Sequence, residues 1–463
     1  MENIYYFKKQ IQAKANSCLN KTVFKEFWDG FTCHSSNISV ENIECYQFVI
    51  GEPEIVKINK ELYYIQVDAN GVAVYANDEK GLICGYMDLL QRIKVISTDE
   101  GQELFGIEYC SKAFSPLIRN RMVHFCVFPD TKLYEIQKFI RLCGALRYTH
   151  IVIEFWGMLK FDALKELAWP HAFTKDEIKP LIDEANDMGI EIIPMFNHWG
   201  HASASRVVHG KHVVLDQNLK LQPLFSDDGW TWRIETDAVR NLMRQIRNEL
   251  MELCGDGEYF HLGCDESYNF DLNLETAHIV TEFLNEISDE LKMDGRRAIV
   301  WGDMFIAEKP EFNKDNCYIM SCPDEAVQKE ILLNLDKNIV IADWQYNVKT
   351  APVETAIVFK EAGFDVMLCP WDIVYGDDSL VPCAKTVSDY SLFGLLHTTW
   401  HTLSSGMPDV TRAADLCWTS NENIPVYAEI RTKTANLIRK TSNLHGDYER
   451  SGWAPYEIGN KTF

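Results

Sequence analysis

From residue 121 onward, short apolar runs alternate with longer stretches whose apolar positions recur at helical spacing. The runs are Met122–Val127, His150–Phe155, Ile190–Phe196, Tyr259–Leu262, Ala298–Trp301, Ile339–Ala342, Phe364–Leu368 and Leu392–Leu396. Helical patterns fall between several of them, as in Tyr134–Leu146, Lys175–Met188, Ala238–Leu253 and Thr276–Met293. Eight strand-helix units over about 285 residues predict a (β/α)8 TIM barrel, for which about 250 residues is typical. A doubly wound open sheet is the competing architecture, but no Gly-x-Gly-x-x-Gly follows a strand.

Before the barrel, Leu62–Val67 alternates like a strand, Asp68–Gly71 reads as a turn and Val72–Tyr75 returns. Asn77-Asp78 then starts a helix carrying Leu82, Cys84, Met87, Leu89 and Leu90. The expected organisation is a small α/β domain over residues 1–112, the barrel over 113–402, and a C-terminal helical extension over 403–463 that packs on the barrel. Thr411–Leu444 is its helical part.

Composition narrows the partners. The chain has 463 residues, 46% of them hydrophobic and 12% aromatic, enough for sizeable cores. A formal net charge of -23 argues against nucleic acid or an anionic membrane surface and favours neutral ligands. No apolar stretch reads as a signal peptide or a membrane span. Fourteen cysteines without a Cys-x-x-Cys pair, several within apolar runs, fit buried free thiols in a reducing compartment. The expected location is the cytoplasm. The oligomeric state is open, a homodimer being one option.

In such a barrel, chemistry gathers where the strands end. Strand two delivers Glu154, Phe155 and Trp156, and strand three ends in Asn197-His198-Trp199-Gly200-His201. Strand four presents Asp265-Glu266 after His261-Leu262-Gly263-Cys264. Trp301-Gly302-Asp303, Asp343-Trp344-Gln345-Tyr346, Pro370-Trp371-Asp372 and Thr398-Thr399-Trp400-His401 follow. An Asp-Glu pair after a strand is ordinarily a solvated turn or helix cap. Here, however, tryptophan closes six of eight strands in a chain with only 12 tryptophans, and a ring of aromatic faces suits the apolar faces of sugars. Two adjacent carboxylates, one kept neutral by an apolar wall and one kept ionised by hydrogen bonds, suit acid–base chemistry near neutral pH.

The pairs His198-x-x-His201 and His209-x-x-His212 raise a metal site as an alternative, though the helical His-Glu-x-x-His arrangement is absent. A hydrogen bond from His201 to a nearby carboxylate is the other reading. The long segment from Gly200 to Glu235, with Trp230 and Trp232, fits a lid or leaving-group subsite.

These residues resemble glycoside hydrolase family 20, the β-N-acetylhexosaminidases, and most closely the hexosaminidase D-like branch. His261-Leu262-Gly263-Cys264-Asp265-Glu266 matches the family's His-x-Gly-x-Asp-Glu pattern. Ile193-Pro194 through Gly200-His201-Ala202, Val300-Trp301-Gly302-Asp303 and Asp343-Trp344-Gln345-Tyr346 match the motifs of strands three, five and six. The resemblance implies a retaining exo-glycosidase that uses the substrate's own acetamido oxygen as nucleophile, with no metal or organic cofactor. Glu266 would be the general acid and then base, and Asp265 would orient the acetamido N–H. Trp301, Trp344 and Trp400 would wall the acetamido pocket, with Trp371 beside them. Tyr346 would donate to the acetamido oxygen, and Arg121, with Arg119 as alternative, would bind ring hydroxyls together with Glu154 and Asp372. The implied partners are glycans or glycoconjugates bearing N-acetylhexosaminides. A non-catalytic sugar-binding barrel and a metal-dependent hydrolase remain the alternatives.

Three departures concern selectivity. Cys126 stands where the family usually has Asp, five residues after the strand-one arginine; strand seven reads Pro370-Trp371-Asp372 in place of Tyr-Leu-Asp; and Trp400-His401-Thr402 replaces Trp-Gly-Glu. Loss of a fixed acceptor for the sugar's 4-hydroxyl would admit N-acetylgalactosamine alongside N-acetylglucosamine.

Overall fold

The computed structural model describes residues 4–7, 13–14, 17–32, 46–50, 63–97, 103–203, 218–371, 378–400, 403–419 and 427–442. Asp372, His401 and the His209/His212 pair lie outside the described residues.

The N-terminal unit holds β1 (Ile4–Phe7), β2 (Ala13–Lys14), α1 (Thr22–Thr32), β3 (Tyr46–Ile50), β4 (Tyr63–Asp68), β5 (Gly71–Ala76), α2 (Glu79–Gln91), β6 (Lys94–Ser97), β7 (Glu103–Glu108) and β8 (Cys110–Phe114). Two sheets result, ordered β1-β7-β6 and β2-β3-β5-β4-β8. The hairpin β4–β5 buries alternate residues, among them Ile65, Val67, Val72 and Val74, and α2 covers that face. Asp78 caps α2 by accepting the Gly81 N–H at 2.7 Å. Pairing of β8 with β4 carries this unit through Phe114, slightly beyond the expected boundary at 112.

Eight parallel strands then close a barrel: β9 (Asn120–Cys126), β10 (His150–Glu154), β11 (Glu191–Met195), β12 (Tyr259–His261), β13 (Arg297–Trp301), β14 (Val340–Trp344), β15 (Asp365–Cys369) and β16 (Gly394–His397). Helices α3 (Leu133–Ala145), α4 (Lys175–Asp187), α5 (Asp237–Cys254), α6 (Ala277–Met293), α7 (Glu325–Asn334), α8 (Glu354–Glu361) and α9 (Leu380–Tyr390) lie between them. Helix α5 illustrates why. Thr236 caps its start through the Val239 N–H, and Val239, Leu242, Met243, Ile246, Leu250 and Leu253 make one buried stripe. Gly255, at φ 75°, ends it in a conformation that costs glycine little.

The pleat sorts each strand into two faces. Met122, Val152, Ile193, Met195, Ile299, Trp301, Ala342, Met367, Cys369 and Leu396 fill the barrel interior, while Val123, Phe125, Ile151, Ile153, Phe260, Val300, Ile341 and Leu368 join the layer beneath the helices. Helix α10 (Leu403–Leu416) packs between α9 and β9 and so completes the helical ring, a place the sequence reading gave to the extension. Helix α11 (Tyr427–Thr441) is the true addition, lodged against α10, α3 and α1. No helix among the described residues is long and apolar enough to cross a membrane.

Candidate active site

Strand β12 is short and gives way at Gly263 to a turn that presents Cys264, Asp265 and Glu266 at the barrel mouth. Gly263 has φ 68°, and a Cβ there would meet Asn197 atoms at 2.9–3.0 Å. Gly200 is equally constrained, because a Cβ would overlap the carbonyl oxygen of Asp265. Five of the seven non-glycine residues with positive φ among the described residues stand at strand ends: Trp156, His201, Cys264, Glu266 and Trp400. Each left-handed residue costs of order 1–3 kcal/mol and persists only where its surroundings hold it.

Those surroundings are hydrogen bonds around the two carboxylates. Asn197 Nδ2 donates to Asp265 Oδ1 at 3.0 Å. His201 Nε2 lies 2.8 Å from Glu266 Oε2 and 3.3 Å from Asp265 Oδ2, so one imidazole bridges both acids. The Tyr268 hydroxyl donates to Glu266 Oε1 at 2.9 Å, and the Glu266 N–H donates to Asp303 Oδ2 at 3.1 Å. Asp265 is buried and Glu266 is partly open, with 28% of its side chain exposed. An inner acid held by amide and imidazole and an outer acid accessible from the mouth give two carboxylates different tasks.

Aromatic side chains stand around them. Trp301 and Trp400 lie 5.7 Å apart between ring centres, Trp344 and Tyr346 5.0 Å, and Tyr346 and Trp371 5.2 Å. Trp344 Nε1 donates to Asp303 Oδ1 at 3.0 Å, and Trp400 Nε1 donates to the Tyr346 hydroxyl at 2.5 Å. Burial pushes the Tyr346 phenol well above its ordinary range and keeps it a neutral donor. Glu154, on the inward face of β10, joins His124 and Cys126 of β9, with His124 Nε2 3.5 Å from Glu154 Oε2 and Cys126 Sγ 3.6 Å from the same oxygen.

Arg121 is a correction to the sequence reading. It alternates with the inward residues Met122, His124 and Cys126 and sits at the opposite end of β9, so the pleat points it away from the barrel axis. Its guanidinium donates to the carbonyls of Arg147 at 2.9 Å, Arg119 at 2.8 Å and Ile118 at 3.2 Å, and lies 4.9 Å from the Trp418 ring centre. It ties the barrel floor to the C-terminal helices and does not reach the carboxylates. His198 also parts company with His201: its Nδ1 is 2.6 Å from the Phe196 carbonyl oxygen, and burial drives its pKa well below the ordinary histidine value. The two rings occupy different surroundings, as a packed core residue and an acid-binding residue.

In the long segment after β11, Trp230 Nε1 donates to the Glu266 carbonyl at 2.7 Å and its ring stands 4.3 Å from that of His201. Trp232 is buried and donates to the Asn197 carbonyl at 2.9 Å. Trp230 therefore braces the turn that carries Glu266, and Trp232 the one that carries Asn197. A cleft of about 430 Å³ opens beside Trp232, with Asp227, Asp228, Arg233 and Asn269 in its lining.

Tyr268, Asn197 and Asp303 were not singled out as site residues by sequence. Asp303 ends the strand-five motif, and that was its available signal. Burial, then the charge of Asp265, pushes its carboxyl up to about 7, against the pull of the Trp344 and Glu266 N–H groups. Because the folded value lies above the ordinary 3.8, this group's contribution to stability is complete below about pH 3.8 and is lost as pH rises through about 7. Asp303→Asn cannot ionise. The melting-temperature advantage of the unaltered protein over this variant should therefore shrink between about pH 4 and pH 8. Parallel melting profiles across that range would rule the assignment out.

A parallel barrel that brings a differentiated carboxylate pair beside a ring of indoles is an arrangement suited to acid–base chemistry. Residues 155–381 match the family model of glycosyl hydrolase family 20, catalytic domain. Among curated relatives, the chain is 28% identical over 138 residues to hexosaminidase D of Bos taurus, covering 30% of this chain and 38% of that one. It is 21% identical over 282 residues to the lacto-N-biosidase of Bifidobacterium bifidum, covering 56% of this chain and 24% of that one. The chain thus spans between about a quarter and two fifths of the length of the curated relatives it matches. Among solved structures, a family 20 exo-β-N-acetylglucosaminidase from Vibrio harveyi in complex with N-acetylglucosamine superposes with TM-score 0.66 at 16% identity, over 96% of this chain and 76% of that one. A Streptomyces plicatus β-hexosaminidase in complex with its product superposes with TM-score 0.66 at 12% identity, over 98% and 93%. These likenesses establish the barrel fold.

Proposed function

We propose that the chain is an exo-acting, retaining β-N-acetylhexosaminidase that removes terminal β-linked N-acetylglucosamine or N-acetylgalactosamine from glycans, with the substrate's acetamido oxygen as nucleophile. The observation that carries this reading is His201 bridging Asp265 and Glu266, with Asp303 linking the Glu266 N–H to the Trp344 indole. Glu266, the more exposed acid, protonates the glycosidic oxygen and then activates water. Asp265, held by Asn197, orients the acetamido N–H and offsets the charge of the cyclised oxazolinium intermediate. Tyr346 holds the acetamido oxygen for in-line attack, and the indoles keep bulk water out of the pocket.

The cleft beside Trp232 and Asn269 is the proposed seat of the departing glycan. Buried free thiols such as Cys143, Cys264 and Cys383 support a cytoplasmic setting. The test is hydrolysis of chromogenic β-N-acetylglucosaminide and β-N-acetylgalactosaminide, with inhibition by a thiazoline mimic of the cyclised intermediate. Turnover of both sugars with tight thiazoline inhibition is expected. No turnover of either would defeat the reading, and a preference for glucosamine by a factor of about 100, about 3 kcal/mol, would refute dual acceptance.

A further inference from the structure

On the strand-one and strand-two side of the mouth, His124, Cys126 and Glu154 are all buried and inward-facing, and each offers a metal-ligating atom within 4.8 Å of the others. The edges of the triangle are 3.6 Å from Cys126 Sγ to His124 Nε2, 3.6 Å from Sγ to Glu154 Oε2, and 3.5 Å from Nε2 to Oε2. Bonds to zinc of about 2.3 Å from sulfur and about 2.0–2.2 Å from nitrogen or oxygen, at tetrahedral angles, place ligand atoms roughly 3.3–3.7 Å apart. The triangle therefore has the dimensions of three corners of a zinc tetrahedron. Neighbouring barrel strands hold it: β9 and β10 pair in register with Cys126 opposite Glu154, and residues two apart on β9 share a face.

Charge points the same way. The Cys126 thiol points its proton toward Glu154 Oε2 at 3.6 Å, and a divalent cation would take that proton's place between the two buried groups. One thiolate, one imidazole and one carboxylate form a borderline-soft set suited to Zn²⁺ and ill matched to Mg²⁺ or Ca²⁺. We propose that His124, Cys126 and Glu154 form a binding site for a single Zn²⁺ ion, with a fourth position left for water or a ligand hydroxyl. The His124 ring centre lies 4.6 Å from that of Trp400 and 6.1 Å from that of Trp301, so the ion would sit in the wall of the saccharide pocket. Its place there is that of a bound ion, and no step of hydrolysis is assigned to it.

The test is metal titration of the full chain, stripped by chelator and kept reduced. Co²⁺ is expected to bind with one ion per chain, to give a thiolate-to-cobalt charge-transfer band, and to be displaced by Zn²⁺. Cys126→Ser should abolish the band, and His124→Ala and Glu154→Gln should each weaken Zn²⁺ binding at least tenfold, about 1.4 kcal/mol. Cys317→Ser, at an exposed thiol, should leave the band intact. A wild-type chain that gives no thiolate band at saturating Co²⁺, or a band that survives Cys126→Ser, overturns the site. Should Cys126→Ser lose the wild-type melting transition, the histidine and glutamate variants decide, and unchanged affinity in both overturns it. Binding is read without turnover, so this result stands apart from the hydrolase assay.

Discussion

Glu266→Gln is expected to cut turnover by a factor of about 100 or more on substrates whose leaving group is an unactivated sugar alcohol, and far less on nitrophenyl glycosides. The substitution keeps size and planarity, and the amide oxygen still accepts from the Tyr268 hydroxyl, so the turn at φ 50° retains a partner. What it removes is a proton that the side chain can release and recover. An alcohol with a high pKa cannot depart as its alkoxide at a useful rate, whereas a nitrophenolate can. The contrast between the two substrates isolates acid catalysis from binding, folding and the cyclisation step. Steady-state kinetics on a chitobiose-type disaccharide and on the nitrophenyl glycoside of the same sugar provide the measurement. Equal losses on both would remove Glu266 from the acid role.

Much of this arrangement could be read from the chain because a parallel barrel strand is buried on both faces and appears as a continuous apolar run ending in polar residues. The runs at residues 150–155 and 298–301 became β10 and β13 with little change, and the polar cluster after Leu262 became the mouth. The same continuity hides which face a residue occupies. Arg121, Met122, Val123 and His124 form one unbroken segment, and nothing local tells that the arginine faces the floor and the histidine the pocket. The apolar run continues to Val127, from which counting by two puts Arg121 on the functional face; the strand itself stops at Cys126, from which the same count puts His124 there and Arg121 off it. The metal triangle was hidden for the same reason, since Cys126 reads as an ordinary buried thiol until β10 brings Glu154 beside it. In the N-terminal unit, β2 and β6 are two and four residues long, too short for any periodicity to register. Helix α10 was assigned to the extension because its wrapping against β9 depends on barrel closure, a contact that joins the two ends of the barrel sequence.

Asp265→Asn is expected to lower turnover by a factor of about 100 to 1,000, and to do so alike for poor and good leaving groups. Under the proposed mechanism this acid acts on the nucleophile, whose bond to the anomeric carbon forms as the glycosidic bond breaks, so its effect is felt whichever leaving group departs. Asp265 Oδ1 accepts from Asn197 and Oδ2 faces His201, which leaves its charge as the compensating anion for a developing oxazolinium. An asparagine in its place offers a neutral group and must turn its NH₂ toward either the Asn197 NH₂ or the imidazole. That geometry adds an unsatisfied contact worth about 1–3 kcal/mol to the lost electrostatic stabilisation. The matching substrate experiment replaces the 2-acetamido group by hydroxyl: the unaltered protein should hydrolyse the aryl β-glucoside barely or not at all, because the nucleophile is gone. If the Asp265 loss were confined to poor leaving groups, or if the glucoside were cleaved as fast as the N-acetylglucosaminide, the nucleophile would not be the acetamido oxygen. The division of labour between the two acids would then have to be reversed or abandoned.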